Sequence, residues 1–428
     1  MHDTRSIVVA GAGLAGLSAA LHLARTGRRV TLLEQSELAG GRGASQRDGD
    51  WIFNLGAHAL YRAGVGLQIL QDLGVRIQGK IPPVLGIQGI AGERTLSLAR
   101  SWLSPVEALR LTLFLARLLS LKPHEWRGQS TAEWLAGDRL LAGARLQQLL
   151  GMLVRVSTYV ADHQRLSAEL AIQQLQLALR ANVLYLDGGW QSLIDQLLSL
   201  ARRQGVEIRF GCGLKAVSRL TDHWHLQLGA GESLDADAVI LAMPPQAVQR
   251  LLAPWPELEL HRQLQALEPV RAACLDVGLS ALPVPAHLAA FGLDEASYLS
   301  VHSASARLAA PGAALIHALW YLGEADSLDP SAQRARLEKR LDLFQPGWRE
   351  LAGPAHFYPH LTVTHALATP GRGLAGRPAA AVAGLPELYL AGDWVGDTGW
   401  LADAALASGR RAAQLLAVQP RQQVARAA

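Results

Sequence analysis

The chain opens on three regular hydrophobic runs. Residues 7–10 (IVVA) form an unbroken apolar run, the pattern of a parallel strand buried on both faces. Leu17, Ala20, Leu21 and Ala24 then recur at helical spacing, and residues 29–33 form a second short strand that ends at Glu34. The same pattern returns at residues 238–243 (AVILAM), closed by Pro244-Pro245, and at Tyr389-Leu390-Ala391. Residues 191–204 read as an amphipathic helix that feeds a strand at 207–210, and residues 224–228 alternate as a half-buried strand. Between residues 131 and 179 the pattern is helical in three pieces, TAEWLAG, ARLQQLLGMLVRVSTYV and SAELAIQQLQLAL. Ser130 and Ser167 are placed as N-caps, with Glu133 and Glu169 in the first turns. LDVGLS, ASYLSVHSAS and AALIHALWYL read as strands of a second sheet, and RARLEKRLDLF as a charged helix. No internal repeat is evident.

Residues 102–121 change character. Glu107, Arg110 and Arg117 fall on one side of a helix that is otherwise Leu, Phe and Ala. The pattern predicts a core helix; the alternatives are a helix lying on a bilayer surface or lining an entry for an apolar substrate. Pro105, Arg110 and Arg117 argue against a membrane span.

Composition adds bounds. With 428 residues, half of them hydrophobic, the chain can bury two cores. Mean hydropathy is +0.14, yet no stretch reads as a transmembrane helix. Forty Lys and Arg against 36 Asp and Glu leave a net charge of +4, scattered along the chain, which excludes nucleic acid as a partner. Residues 1–6 lead straight into the first strand without room for a signal peptide, so the reading is cytoplasmic, with membrane association only through residues 102–121. Cys212 and Cys274 are far apart and each reads as a core thiol. Residues 419–428 read as a polar, frayed tail. Nothing in the sequence sets an oligomeric state.

The first unit carries the chemistry. Gly11, Gly13 and Gly16 form G-x-G-x-x-G between strand and helix, and Glu34 follows about twenty residues later. Gly11 permits the tight turn, Gly13 lets a pyrophosphate approach the backbone, and Gly16 lets the helix pack close to the sheet. The helix N-terminus at Leu14 and Ala15 offers N–H groups to phosphates. Glu34 is placed to accept hydrogen bonds from an adenosine ribose. Gly40-Gly41-Arg42 then gives a bare loop and a guanidinium able to pair with pyrophosphate oxygens. At the other end, Gly392-Asp393 closes a strand, and Asp393 can accept a hydrogen bond from a ligand hydroxyl. Gly399, Trp400 and Leu401 lead into a helix over residues 401–416 whose N-terminal dipole can stabilise negative charge on a ligand.

On these motifs the chain resembles the flavin-dependent amine oxidase and phytoene desaturase superfamily, protoporphyrinogen oxidase-like proteins included, whose first unit ends in G-G-R. The resemblance implies FAD as cofactor. It implies that Gly56 and Ala57 let the backbone approach the isoalloxazine, with His58 the only ionisable group in that turn; His58 either holds a carbonyl or moves a proton. It further implies that the backbone at Val217 clamps the adenine, that residues 237–244 match the family's D-x-V-I-x-A-x-P segment, and that Trp400 and Tyr358 partly match its aromatic cage. The implied fold is α/β: a discontinuous Rossmann-like FAD-binding domain (1–95, 185–265 and 385–428) with an inserted mixed-sheet and helical substrate domain (96–184 and 266–384).

The expected activity is FAD-dependent hydride removal from carbon on a small hydrophobic, isoprenoid-like molecule, by a desaturase, dehydrogenase or isomerase. The alternative is an amine oxidase; many of these carry a lysine bonded through water to the flavin, and none of Lys80, Lys122, Lys215 and Lys339 is evidently placed for that. A flavin-bound protein without redox turnover is the third reading. His58, Trp400 and Tyr358 are the candidate catalytic residues. A metal site is not expected, because His356, His360 and His365 lie in an extended, Pro359-containing segment.

Overall fold

The computed structural model describes residues 5–83, 85–98, 102–323, 326 and 329–418; the expected polar tail lies outside them. A five-stranded sheet forms from distant parts of the chain. Its order is Glu207–Arg209, Arg29–Leu33, Ser6–Ala10, Ala238–Leu241 and Leu388–Leu390, and every pairing is parallel. Ser6–Ala10 is central because its apolar residues are covered on both faces, as a parallel strand requires. The helix Leu14–Ala24 lies over it, and the C-terminal helix Ala402–Val418 packs on that helix.

Two close approaches make this possible. A Cβ on Gly16 would sit 1.8 Å from the carbonyl oxygen of Gly11, and one on Gly409 would sit 2.2 Å from that of Ala15. Both positions therefore demand glycine for contact rather than for backbone angle.

A second, mixed sheet has the order Ala352–Thr364, Val270–Leu279, Ala314–Leu322, Ser297–Val301, Ala289–Gly292, Ile87–Ala91 and Arg94–Ser97. Ala289–Gly292 pairs with Ile87–Ala91 in parallel; the other neighbours are antiparallel. The strands at 87–97 thus belong with the inserted sheet, although the expected boundary lay at 95. One face, including Leu275, Val277, Ile316 and Ala318, packs with Leu337, Leu341 and Phe344 of the helix Pro330–Phe344. The other face, which period-2 alternation assigns to Cys274, Asp276, His317 and Leu319, turns toward the first domain.

The helices Thr131–Gly137, Ala144–Thr158 and Ala168–Ala181 appear where the pattern placed them. Ser130 forms a full capping box with Glu133. Ser167 starts its helix without a side-chain cap, and Glu169 pairs with Arg127 at 3.0 Å instead. The helix Pro105–Leu118, capped by Ser104 and Glu107, corrects the expectation of a core helix. Only Phe114 and Leu118 are buried, whereas Val106, Leu109 and Leu113 are 60%, 60% and 50% exposed. It is anchored along one edge, and its apolar content exceeds what that edge can cover. Among the described residues no helix is long and apolar enough to cross a membrane.

Asp403, in the first turn of the C-terminal helix, joins the two ends of the first domain by accepting from the Gly66 N–H at 3.0 Å. Burial raises its pKa from 3.8 to about 6, against the pull of its backbone hydrogen bonds with Gly66 and Val65. The folded state therefore binds this proton more tightly than the unfolded state does. Stability falls as pH rises from about 4 to about 6, and the full cost is present above that window. Asp403→Asn keeps an acceptor and removes the charge. It should raise Tm at pH 7, by an amount of the order of 2 kcal/mol in stability, with the gain vanishing near pH 4. Thermal melts of both proteins across that range check the sign, and an equal offset at every pH would refute it.

Candidate active site

One continuous cavity of about 1390 Å³ runs from the turn after the first strand to the inner face of the second sheet. That exceeds the ~300–1,000 Å³ of an ordinary small-molecule pocket and leaves room for a dinucleotide and a substrate together. Gly11, Gly13, Leu14, Ala15, Glu34, Gly41, Arg42, Ala57, His58, Gly392, Asp393 and Leu401 all line it, so the sequence-predicted residues from both chain ends converge.

At the nucleotide end, Gly13 is the N-cap of Leu14–Ala24 and no side chain caps that helix, so its first N–H groups are left for a ligand. Gly13 bridges to Gly40, which brings the two glycine loops side by side. Glu34 sits at the end of the second strand, steadied by the N–H groups of Ala12 at 2.8 Å and Ser36 at 3.0 Å, with its remaining acceptor capacity at the cavity wall. A cradle of bare backbone beside a fixed carboxylate fits an adenosine diphosphate.

Arg42 departs from expectation. Its guanidinium forms a fork with Asp393, at 2.9 and 2.7 Å, and also donates to the Val363 carbonyl at 2.9 Å. It is therefore fixed by protein at one side while it still lines the cavity. Asp393 also accepts from the backbone N–H of His365 and meets His365 Nδ1, each at 3.1 Å. Burial alone would raise the Asp393 carboxyl, but Arg42 and His365 hold it well below the usual range.

The turn at residues 56–58 is fastened on three sides. Asp276 Oδ2 accepts from the Gly56 N–H at 3.2 Å, and the Tyr159 hydroxyl donates to the Ala57 carbonyl at 2.8 Å. His58 places Nδ1 3.0 Å from the Gly56 carbonyl and Nε2 3.0 Å from the Arg42 carbonyl. Both nitrogens thus face backbone, and the ring packs edge-on against Trp190. Burial lowers the His58 pKa despite those carbonyls. This geometry suits a group that positions the turn better than one that exchanges protons with a ligand.

Six predicted residues do not line the cavity. Gly16 serves the helix packing described above. Gly56 faces Leu361, which a Cβ would approach to 2.8 Å. Gly399 shapes the turn before the last helix, where its carbonyl accepts from Arg377 at 3.0 Å. Trp400 turns its indole into the helical core and donates to the Thr158 carbonyl at 3.2 Å. Val217 is buried in a strand opposite Leu226, and Cys212 to Lys215 occupy the wall in its place. Tyr358 lies on the edge strand opposite Cys274. Leu401, by contrast, lines the cavity with φ at +54°. Tyr159 and Asn182 also have positive φ and also line it, so three of the four non-glycine residues with positive φ among those described sit at the site, as stored strain at functional positions does.

Residues missed in the sequence make up the far wall. Tyr185, Tyr298, Ser300 and His302 line the cavity there. Behind them Asp276 accepts from His317 Nδ1 at 2.6 Å and from the Cys274 thiol at 3.0 Å, all three buried. The signal was available: Asp276 and His317 interrupt the apolar runs at residues 272–279 and 314–322, and a buried polar group in such a place needs a partner. The three histidines of the segment around Pro359 go separate ways, His356 to Asp48 and His365 to Asp393, with His360 exposed.

Residues 14–417 match the model of the family described as flavin containing amine oxidoreductase. A phytoene dehydrogenase of Streptomyces griseus is 25% identical over 308 residues, 64% of this chain and 60% of that protein. An L-amino-acid oxidase of Crotalus adamanteus is 54% identical over only 54 residues, 13% of this chain and 10% of the oxidase. The matched regions thus span less than two thirds of these relatives. An oxidoreductase from Methanosarcina mazei of known structure superposes with a TM-score of 0.78 at 17% identity, over 96% of this chain and all of the other.

The Arg42–Asp393 fork should be structural as well as positional. Arg42→Ala leaves a buried carboxylate with His365 alone. It should cost about 3 kcal/mol, the low end for breaking a buried pair because Arg42 is partly exposed. Urea denaturation measures it, and an unchanged midpoint would show that solvent already screens the pair.

Proposed function

The chain belongs to the flavin-containing amine oxidoreductase family, with FAD as cofactor, and we propose that it removes hydride from carbon on a small hydrophobic substrate as a desaturase, dehydrogenase or isomerase. The observation that carries this reading is the distribution of charge along the cavity. Glu34, Arg42, Lys215, Arg250 and Asp393 belong to the nucleotide half. The far half is walled by side chains such as Leu115, Leu153, Val156, Leu175, Phe291 and Leu319, and no charged side chain lines it among the described residues. An ammonium group would be stripped of water there without a counter-charge, whereas apolar surface gains about 25 cal/mol per Å² on entry.

Bound FAD supplies the two-electron acceptor; the chain's own residues bind, orient and exclude water. The uncapped helix at Gly13, the Gly40-Gly41 loop and Glu34 would hold the adenosine diphosphate. The turn at 56–58, fastened by Asp276, Tyr159 and its own His58, presents bare backbone to the middle of the cavity. Leu401 and the N-terminus of the last helix close it from the other chain end. Lys80 and Lys122 are exposed, Lys339 pairs with Glu93 at 2.9 Å, and Lys215 lies at the nucleotide end, so no lysine enters the substrate half. This supports the desaturase reading over an amine oxidase.

The exposed row Val106, Leu109 and Leu113 supports a peripheral membrane contact, because Leu115 of the same helix lines the cavity and Leu179, also on the wall, is 40% exposed. Vesicle flotation should recover the protein, and the double change Leu109→Glu with Leu113→Glu should abolish recovery without altering the melting temperature. Equal flotation of both would remove the membrane from this reading.

The purified protein should be yellow and release FAD on denaturation. Mixed anaerobically in detergent with isoprenoids, the hydrocarbon phytoene and an isoprenoid alcohol, it should lose its flavin colour with at least one, while a primary alkylamine leaves the colour unchanged. Bleaching by the amine alone would establish the oxidase instead, and bleaching by none would favour a protein without redox turnover.

A further inference from the structure

The apolar half of the cavity contains a polar patch that is incompletely paired. His302 is 1% exposed and lines the cavity, yet neither ring nitrogen has a hydrogen-bond partner among the described residues. Its ring is not loose. It stacks on Tyr185 with centroids 3.7 Å apart and planes 16° from parallel, and it meets His317 edge-on at 4.4 Å. The Tyr185 hydroxyl lies 3.0 Å from that of Tyr298 and 3.3 Å from Ser300 Oγ, and all of these residues line the same wall.

A buried imidazole without partners is rare in a folded protein, because the cost of stripping its water is not returned. A fixed ring with a vacant donor and a vacant acceptor beside hydroxyl groups is the form a recognition site takes before its ligand arrives.

We propose that the substrate carries one neutral oxygen function, a hydroxyl or a carbonyl, and that His302, with the hydroxyls of Tyr185, Tyr298 and Ser300, receives it. This rests on the reading of the apolar half as the substrate site.

The charge state of the patch sets the ligand class. Burial, with His317 and His58 nearby, pushes the His302 pKa well below its ordinary value, so the ring stays neutral. Burial also pushes the Tyr185 hydroxyl well above its own, so it stays a donor. The charged group behind the wall is closed off. Asp276 Oδ1 takes His317 Nδ1 and the Cys274 thiol, and Oδ2 takes the Gly56 N–H. That pairing puts the His317 proton on Nδ1 and leaves its Nε2 as a second vacant acceptor beside His302. A carboxylate or an ammonium would find no counter-charge here, whereas a hydroxyl can both donate and accept, and a carbonyl can accept from the imidazole N–H or a phenol.

The test uses the FAD-loaded full chain and four probes of one chain length: decane, 1-decanol, 2-decanone and decylamine. Binding is read from the perturbation of flavin absorbance, without turnover. Decanol and decanone should bind about tenfold or more tighter than decane, the increment of a buried hydrogen bond, and decylamine at neutral pH should bind more weakly than decanol. His302→Phe keeps the stack on Tyr185 and removes both nitrogens; it should bring decanol within about threefold of decane while leaving the Kd for decane unchanged. His302→Gln, which restores a neutral donor and acceptor, should regain part of the preference. Equal binding of decane and decanol by the unaltered protein overturns the inference while leaving the apolar site intact, and so does a preference that survives in His302→Phe. Failure of all four probes to bind the FAD-loaded protein overturns the substrate-site reading and this inference with it.

Discussion

The first domain depends on the absence of two side chains. The helix Leu14–Ala24 can lie on the strand Ser6–Ala10 only because Gly16 meets the Gly11 carbonyl without a Cβ, and the C-terminal helix can lie on that first helix only because Gly409 does the same at Ala15. Backbone packed this closely leaves no tolerance for an added methyl group, since a folded interior has no slack to absorb it. The consequence reaches the cavity. With the two helices seated, their N-termini open onto the same space from opposite ends of the sequence, and the glycine loops at residues 11–13 and 40–41 line it between them.

The Arg42–Asp393 fork ties the same two ends together in the plane of the cavity. A fully buried carboxylate is costly unless paired, and here it receives a guanidinium and the backbone and ring of His365. The Val363 carbonyl, in the edge strand of the second sheet, accepts from the same guanidinium. One ion pair therefore fixes the first unit, the last strand and the inserted sheet relative to one another. Asp276 plays the matching role on the far side, where a carboxylate inside the second sheet holds both His317 and the turn that carries His58.

The sheet strands also show how a polar residue in an apolar run is to be read. Strands buried on both faces have no solvent to satisfy Asp276 or His317, so their only stable arrangement is with each other across neighbouring strands. That pairing depends on register, which a single strand does not reveal.

Local pattern determined much of this protein. The βαβ unit, its glycines and Glu34, the buried strands at residues 238–241 and 388–390, and the convergence of both chain ends on one cavity were legible, because periodicity and turn chemistry act over a few residues at a time. Tertiary structure alone decided the rest. Trp400 carries the right ring chemistry but turns into the helical core, and Tyr358 shares the inner face with Cys274 without reaching the cavity wall, because helix phase and strand register, not residue type, place a side chain. Arg42 has the right charge for phosphate, but its fork with a carboxylate 351 positions away could not be read from local spacing. The helix Pro105–Leu118 reads as core, yet burial is a property of what packs against a face, and little does. His302 and Tyr185, with Asp276 and His317 behind them, carry no mutual spacing in the chain; they come together only in the tertiary structure.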